Sequence, residues 1–305
     1  MKWFVDTVYD AYNVSGVADL DGDGVMEVVL GSWDYDFLAS YSGSDGAEEW
    51  VYELQDRLGV SEVGVADVNG DGALDVLAND YGKYSHCVSG LDGSQIWQEE
   101  VSVYSDYSGV ALGDLEGDGD LDAVFLGDYS GLSAVEAAMG QVLWEVDPRL
   151  VSYSNPVLAD VNGDGFLEIL VAFSDSSLFC FGHDGSVLWE YKTGGSLASP
   201  VVGDFDRDNA LEIVVSGMNG ILACLTGSGE VEWADTVGGA FAYFFSLVAA
   251  DVNGDDTLDV LVGALDSLIA FSGASGRHLW SYTGLTDRYI SVSYTHLTLP
   301  TTERV

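Results

Sequence analysis

A nine-residue acidic string recurs six times along the chain. It reads DLDGDGVME from Asp19, DVNGDGALD from Asp67, DLEGDGDLD from Asp114, DVNGDGFLE from Asp160, DFDRDNALE from Asp204 and DVNGDDTLD from Asp251. Oxygen-bearing side chains fall on alternate positions. In the first string Asp19, Asp21 and Asp23 hold positions one, three and five, and Glu27 closes at position nine. A hard cation such as Ca²⁺ takes about 6–8 oxygens at ~2.3–2.6 Å. Alternating carboxylates on a curled backbone supply such a set, and the carbonyl of Val25 at position seven adds one more oxygen. Gly22 and Gly24 permit the positive φ that the curl needs.

The same reasoning assigns five further sites. They are Asp67, Asn69, Asp71, Ala73 and Asp75; Asp114, Glu116, Asp118, Asp120 and Asp122; Asp160, Asn162, Asp164, Phe166 and Glu168; Asp204, Asp206, Asp208, Ala210 and Glu212; and Asp251, Asn253, Asp255, Thr257 and Asp259. Up to six Ca²⁺ are expected. The last two strings depart from the pattern: Arg207 and Asn209 stand where the fifth would have its glycines, and Asp256 replaces the second glycine of the sixth. The other use of such strings is a set of Asx turns, in which Asp only accepts backbone N–H groups. Three carboxylates packed without a cation repel one another, and six strings in register favour metal. The opening D-x-[DN]-x-[DN]-G is shared with EF-hand loops, but those need Glu at position twelve and flanking helices. Position twelve here is Leu30, Ala78, Phe125, Val171, Val215 or Val262, which excludes that reading.

The elements that hold these loops follow from the spacing. The strings start 48, 47, 46, 44 and 47 residues apart. Each is trailed by a Gly turn and a tryptophan: Trp50, Trp97, Trp144, Trp189, Trp233 and Trp280. Two motifs locked at one period define one unit of ~47 residues, within the range of propeller blades. Inside a unit the hydrophobic period is two. In the fourth, strands are predicted at Pro156–Ala159, Leu167–Phe173, Leu178–Phe181 and Val187–Tyr191, with a turn at His183-Asp184-Gly185. The fold class is therefore all-β, a β-propeller of four-stranded antiparallel blades with six whole repeats. Lys2-Trp3-Phe4-Val5 reads as a lone fourth strand, so seven or more blades are expected in the intact protein.

The domain is expected to span 1–291. Val292 to Thr301 reads VSYTHLTLPT, which resembles a translated sequencing-library adapter. Residues 292–305 are accordingly set aside as a non-native tail.

The chain carries 51 Asp plus Glu against 9 Lys plus Arg, a net charge of −42. Such a surface does not hold nucleic acid or anionic lipid, both of which need clustered bases. No apolar run reaches the ~18–20 residues of a membrane helix. At 48% hydrophobic residues the chain folds around a core. Cys87, Cys180 and Cys224 form no disulfide framework and no metal spacing, and read as small buried hydrophobes.

Val161-Asn162-Gly163-Asp164-Gly165 followed by Leu167-Glu168-Ile169-Leu170-Val171, and Leu261-Val262-Gly263-Ala264 after the sixth string, resemble the FG-GAP (VCBS-type) repeat family. These are the calcium-loop propeller repeats of integrin α-chain heads and microbial surface proteins. The trailing half, Phe181-Gly182-His183-Asp184-Gly185-Ser186-Val187-Leu188-Trp189, resembles quinoprotein-type repeats. The resemblance implies calcium loops between the first and second strands of each blade. It also implies a secreted or cell-surface location and a protein or carbohydrate ligand on the opposite face. Trp33, Asp34, Tyr35, Asp36, Asp80, Tyr81, Lys83, Tyr84, Asp128 and Tyr129 are the residues expected there. No GxSxG, HExxH or P-loop is present, and His183 and His278 sit at hairpin turns. A non-enzymatic binding role is the leading expectation. A polysaccharide lyase and a quinoprotein-like dehydrogenase or assembly scaffold are the alternatives.

Overall fold

The computed structural model describes residues 11–32, 36–54, 63–80, 84–101, 109–127, 131–147, 154–195, 198–237, 247–264 and 267–283. The opening strand expected at Lys2–Val5, the 292–305 tail, and Trp33, Asp34, Tyr35, Tyr81, Lys83, Asp128 and Tyr129 lie outside these residues. Every regular element among the described residues is a β-strand. The chain divides into two compact units, Met1–Leu197 and Ala198–Val305.

The first unit holds four antiparallel sheets. They comprise β1 (Ala11–Ala18), β2 (Glu27–Ser32), β3 (Phe37–Ser42) and β4 (Glu48–Glu53); β5 (Gly64–Ala66), β6 (Asp75–Asn79), β7 (Tyr84–Ser89) and β8 (Gln95–Glu100); β9 (Val110–Gly113), β10 (Asp122–Gly127), β11 (Gly131–Glu136) and β12 (Val142–Val146); and β13 (Val157–Ala159), β14 (Glu168–Ala172), β15 (Ser177–Phe181) and β16 (Val187–Lys192). The second unit holds two: β17 (Val201–Gly203), β18 (Glu212–Ser216), β19 (Ile221–Leu225) and β20 (Val231–Thr236); and β21 (Leu247–Ala250), β22 (Asp259–Ala264), β23 (Ser267–Ser272) and β24 (His278–Thr283). Each sheet pairs its strands in chain order. The fourth sheet matches the strands expected from sequence to within a residue or so.

Within each unit consecutive sheets pack face to face. In the first unit β1 lies beside β5, β5 beside β9, and β9 beside β13; in the second, β17 lies beside β21. The core therefore fills the gaps between blades. Leu20, Val29, Leu38 and Trp50 of the first sheet meet Val76, Ala78 and Val88 of the second. Phe205, Val214 and Leu222 meet Val260, Val262 and Phe271. This explains why β6, β10, β14 and β18 are buried throughout: a strand covered on both faces has no reason to alternate. Cys87, Cys180 and Cys224 sit in third strands, buried and free. Burial pushes their thiols upward, Cys180 to about 12, so they pack as inert hydrophobes.

One irregularity repeats in all six sheets. The third and fourth strands shift register beside the tryptophan: Ser40 pairs with Trp50 but Tyr41 with Glu48, and Cys180 with Trp189 but Phe181 with Val187. The same shift recurs at Cys87/Val88, Ala134/Val135, Cys224/Leu225 and Ala270/Phe271. Such a bulge re-aims the side chain next to it. It turns the indole toward the following blade, where Trp50, Trp97, Trp144 and Trp233 donate Nε1–H to the carbonyls of Gly90, Ala137, His183 and Gly273, each at 2.7 Å.

Candidate metal centres

Each acidic string links the first strand of a blade to the second, and its ninth residue starts the second strand. Position nine is driven inward by the apolar strand that follows it. Glu27, Asp75, Asp122, Glu168, Glu212 and Asp259 are all buried, none more than 3% exposed. Their carboxylates accept the backbone N–H of position two: Leu20, Val68, Leu115, Val161, Phe205 and Val252 donate at 2.7–3.2 Å.

Position one caps the turn. Asp19, Asp67, Asp114, Asp160, Asp204 and Asp251 accept the N–H of position six at 2.9–3.2 Å. Position five accepts from position seven in every loop: Val25, Ala73, Asp120, Phe166, Ala210 and Thr257 donate to Asp23, Asp71, Asp118, Asp164, Asp208 and Asp255 at 2.7–3.0 Å. At position three, Asp21, Asn69, Asn162, Asp206 and Asn253 accept the N–H of position five. The third loop differs because Glu116 is longer, and Asp118 N–H goes to Asp114 Oδ1 instead, at 3.1 Å. The Asx turns are thus real, and they curl each loop around its position-one carboxylate.

The fifth and sixth loops keep this shape despite their departures. Positions four and six have positive φ throughout, as at Gly163 (75°) and Gly165 (92°). Arg207 (69°), Asn209 (69°) and Asp256 (62°) are forced into the same region, at a cost an L-residue normally avoids. The Arg207 guanidinium reaches across to the Asp256 carbonyl, Nε at 2.8 Å, and so ties these two loops together.

In two loops the carboxylates converge. One oxygen each from Asp19, Asp21 and Glu27 lie within 4.8 Å of one another, and so do those of Asp204, Asp206 and Glu212. Asp19 Oδ1 is buried there without a hydrogen-bond partner. A buried anionic oxygen without a donor is costly. The donors are all hard oxygens, which fits a hard divalent cation rather than a soft one. In the three loops with Asn at position three the amide fills the gap: Asn162 Nδ2 donates to Glu168 Oε1 at 2.8 Å, and Asn69 and Asn253 point the same way toward Asp75 and Asp259 at 3.5 and 3.4 Å. The fifth loop gathers its carboxylates although Arg207 and Asn209 stand in place of its glycines.

Burial pushes Asp75 and Asp122 up to about 6 and Glu212 up to about 7. Glu27, Glu168 and Asp259 move the same way. Desolvation is the largest cause. The N–H from position two opposes it, and the other carboxylates of the loop add to it.

One buried cluster escaped the sequence reading. His86 Nε2 lies 3.1 Å from Asp80 Oδ2, and His86 Nδ1 lies 3.1 Å from the Tyr52 hydroxyl. Asp80 and His86 are at most 1% exposed. Asp80 also accepts Tyr84 N–H at 2.8 Å, so it braces the hairpin and is not a surface ligand-binding group. No motif marks this pair, because its members meet only through pairing of β6 and β7.

Known proteins share these features. A model of the FG-GAP-like repeat matches residues 19–78, 67–125 and 160–215. A lambda-carrageenase of Pseudoalteromonas carrageenovora is 30% identical over 69 residues, 23% of this chain and 7% of that enzyme. The fold is similar to BamB from Moraxella catarrhalis (TM-score 0.62, 15% identity, 88% of this chain and 76% of that one). It is also similar to the V. cholerae biofilm matrix protein Bap1 (0.58, 18%, 95% and 63%) and to rhamnogalacturonan lyase YesW (0.59, 20%, 91% and 58%). These neighbours are β-propellers, and the six four-stranded antiparallel sheets place this chain in the same class. The matched repeats cover more than half of the residues, and their acidic strings are the loops described above: the chain belongs to the FG-GAP-like repeat family.

Proposed function

We propose that this chain is a calcium-binding, extracellular β-propeller that holds a protein or carbohydrate ligand and catalyses no reaction itself. The observation that supports it is the convergence of Asp19, Asp21 and Glu27, with a buried Asp19 oxygen that has no donor; the carboxylates of Asp204, Asp206 and Glu212 converge in the same way. In this reading the bound cation supplies positive charge and nothing else. The position-five and position-seven residues shape the turn, and the buried closing carboxylate fixes the cation to the second strand.

Extracellular calcium modules work at about 10⁻⁴–10⁻³ M, and loops this exposed suit that range. No helix among the described residues is long and apolar enough to cross a membrane. The carrageenase match is confined to a small part of that enzyme, which favours a shared repeat over a shared reaction. The ligand face is assigned to the end opposite the loops, where Tyr84 lies.

The test is calorimetric titration of calcium into chelator-stripped protein, with Glu27→Gln and Glu212→Gln in parallel. Saturable binding below about 1 mM, reduced by either change, supports the reading. Absence of binding at 10-fold higher calcium leaves the loops as Asx turns only. Ligand capture is then scored on immobilised acidic and neutral polysaccharides with calcium present.

A further inference from the structure

We propose that Asn69 and Asn253, at position three of the second and sixth loops, are sites of spontaneous modification: each loses its side-chain amide to the backbone nitrogen of the next glycine and becomes aspartate. The chain has four Asn-Gly steps, at Asn69, Asn162, Asn219 and Asn253. Asparagine cyclises most readily before glycine, which has no side chain to hinder attack by its nitrogen. In a folded protein the rate depends on what holds the reacting groups: the attacking N–H, the amide carbonyl and the leaving nitrogen. In the second, fourth and sixth loops the attacking N–H already lies against a base. Gly70, Gly163 and Gly254 donate to Oδ1 of Asp67, Asp160 and Asp251 at 2.8, 2.7 and 2.7 Å. The amide oxygen lies against a donor. Oδ1 of Asn69, Asn162 and Asn253 accepts the N–H of Asp71, Asp164 and Asp255 at 2.9, 2.8 and 2.9 Å. The carboxylate takes the proton that must leave, and the donor stabilises the charge that develops on the oxygen. The three glycines are exposed, with nothing within 4 Å of where a Cβ would stand, so water reaches the site.

The leaving nitrogen separates the three loops. All read Val-Asn-Gly-Asp at this step, so local sequence does not distinguish them. Asn162 Nδ2 donates to Glu168 Oε1 at 2.8 Å and to Asp164 Oδ2 at 3.0 Å, which pins the amide. Asn69 and Asn253 have a single longer contact each, 3.5 Å to Asp75 and 3.4 Å to Asp259. Asn219 lacks the arrangement altogether. Gly220 is buried, its N–H donates to the Gly217 carbonyl at 2.8 Å, and the Val237 carbonyl stands 2.9 Å from where its Cβ would be.

In the second loop the Gly70 nitrogen bonds to Asn69 Cγ, its proton passes by way of the Asp67 carboxylate to Nδ2, and the Cγ–Nδ2 bond breaks with release of ammonia. Water then adds to Cγ, whose oxygen is the one polarised by Asp71 N–H. The bond from Cγ to the Gly70 nitrogen breaks, the nitrogen regains a proton from that water, and aspartate is left on an unchanged backbone. Opening at the backbone carbonyl instead gives isoaspartate and lengthens the loop. Aspartate at position three makes the second and sixth loops like the first and fifth, where three carboxylates gather. That consequence for calcium rests on the calcium reading of the loops, whereas the modification itself does not.

The test incubates the whole chain with chelator in mildly alkaline buffer, folded and in strong denaturant, and follows each asparagine by peptide mass spectrometry. Electron-transfer fragmentation separates aspartate from isoaspartate. In the folded chain Asn69 and Asn253 should convert to aspartate severalfold faster than Asn162 and Asn219. In denaturant the three Val-Asn-Gly-Asp sites should share one rate. Any of four results overturns the modification: Asn162 keeping pace with the other two in the folded chain, Asn219 leading, isoaspartate as the main product at Asn69 and Asn253, or both sites intact when folded while the denatured chain converts. The variants Asn69→Asp and Asn253→Asp, made directly and titrated with calcium, form a separate arm. Each should bind at its altered loop about tenfold more tightly than the parent. Conversion in the parent with no gain in affinity in the variants upholds the modification and overturns its consequence for calcium. A gain in the variants with both asparagines intact in the parent overturns the modification alone.

Discussion

Asp206→Asn in the fifth loop should stabilise the metal-free protein and weaken its response to calcium. Asp206 shares a space within 4.8 Å with Asp204 and Glu212. At that separation each like-charge pair costs roughly 1 kcal/mol at the dielectric of water and several times more in a less polar setting. Asp206 is exposed, so the lower figure applies, and at about pH 8, where Glu212 is ionised, removing two such pairs relieves about 2 kcal/mol. The change is conservative in shape. Asp206 Oδ1 accepts the N–H of Asp208 at 3.0 Å, and Asn162 accepts the equivalent bond in the fourth loop at 2.8 Å. The new amide can also donate to Glu212, as Asn162 donates to Glu168. The cost falls on the cation. Losing one charged ligand should raise Kd about tenfold, or ~1.4 kcal/mol, and at calcium about tenfold above the original Kd the stabilisation drops by ~1 kcal/mol. Thermal melts in chelator should then place the variant several degrees above the parent, at roughly 2–4 °C per kcal/mol. The gap should narrow as calcium is added. A variant that melts below the parent in chelator, or a gap indifferent to calcium, would show that the trio neither repels nor binds.

Three further outcomes follow from the same structure. In chelator, Tm should fall as pH rises from about 5 to 7.5. The closing carboxylates titrate above their ordinary range when folded, so the stability their protonation confers is complete below the unfolded pKa and lost on passing about 6–7; saturating calcium should flatten the curve, and melts that rise with pH in chelator would contradict the assignment. Gly140→Ala should cost more than Trp97→Phe, because it adds a clash within 2.7 Å of the Trp97 ring to a strained φ of 71°; denaturant melts giving the reverse order would deny that this turn is a tight fit. His86→Gln leaves buried Asp80 without its imidazole partner and should cost about 1–3 kcal/mol, with Asp80→Asn in the same background recovering part of it; additive losses would mean the two groups do not interact.

How far the sequence reaches depends on whether the cause is local. The turns of the acidic loops were legible because their cause lies within nine residues: Asp160 and Asp164 bond backbone N–H groups two to five residues on. The blade was legible because hydrophobic period, turn glycines and tryptophans repeat together, and the fourth sheet falls where they place it. Burial of position nine was not legible from the motif, since Glu27 or Asp75 reads only as the ligand that closes its loop until the strand after it is seen packed on both faces. The fifth loop shows the limit from the other side. It departs from the glycine pattern, yet Arg207 and Asn209 adopt positive φ because Asp204 and the strands on either side fix the turn. The residue that matters is Asp206, whose charge gathers with Asp204 and Glu212 where an Asn would have bridged them. Likewise no string marks His86 and Asp80, which strand pairing alone brings together. How the carboxylates of a loop gather thus follows position three, where Asp and Asn are nearly isosteric. Asp21 and Asp206 bring a third charge to positions one and nine, whereas Asn162 bridges to Glu168 with its own amide.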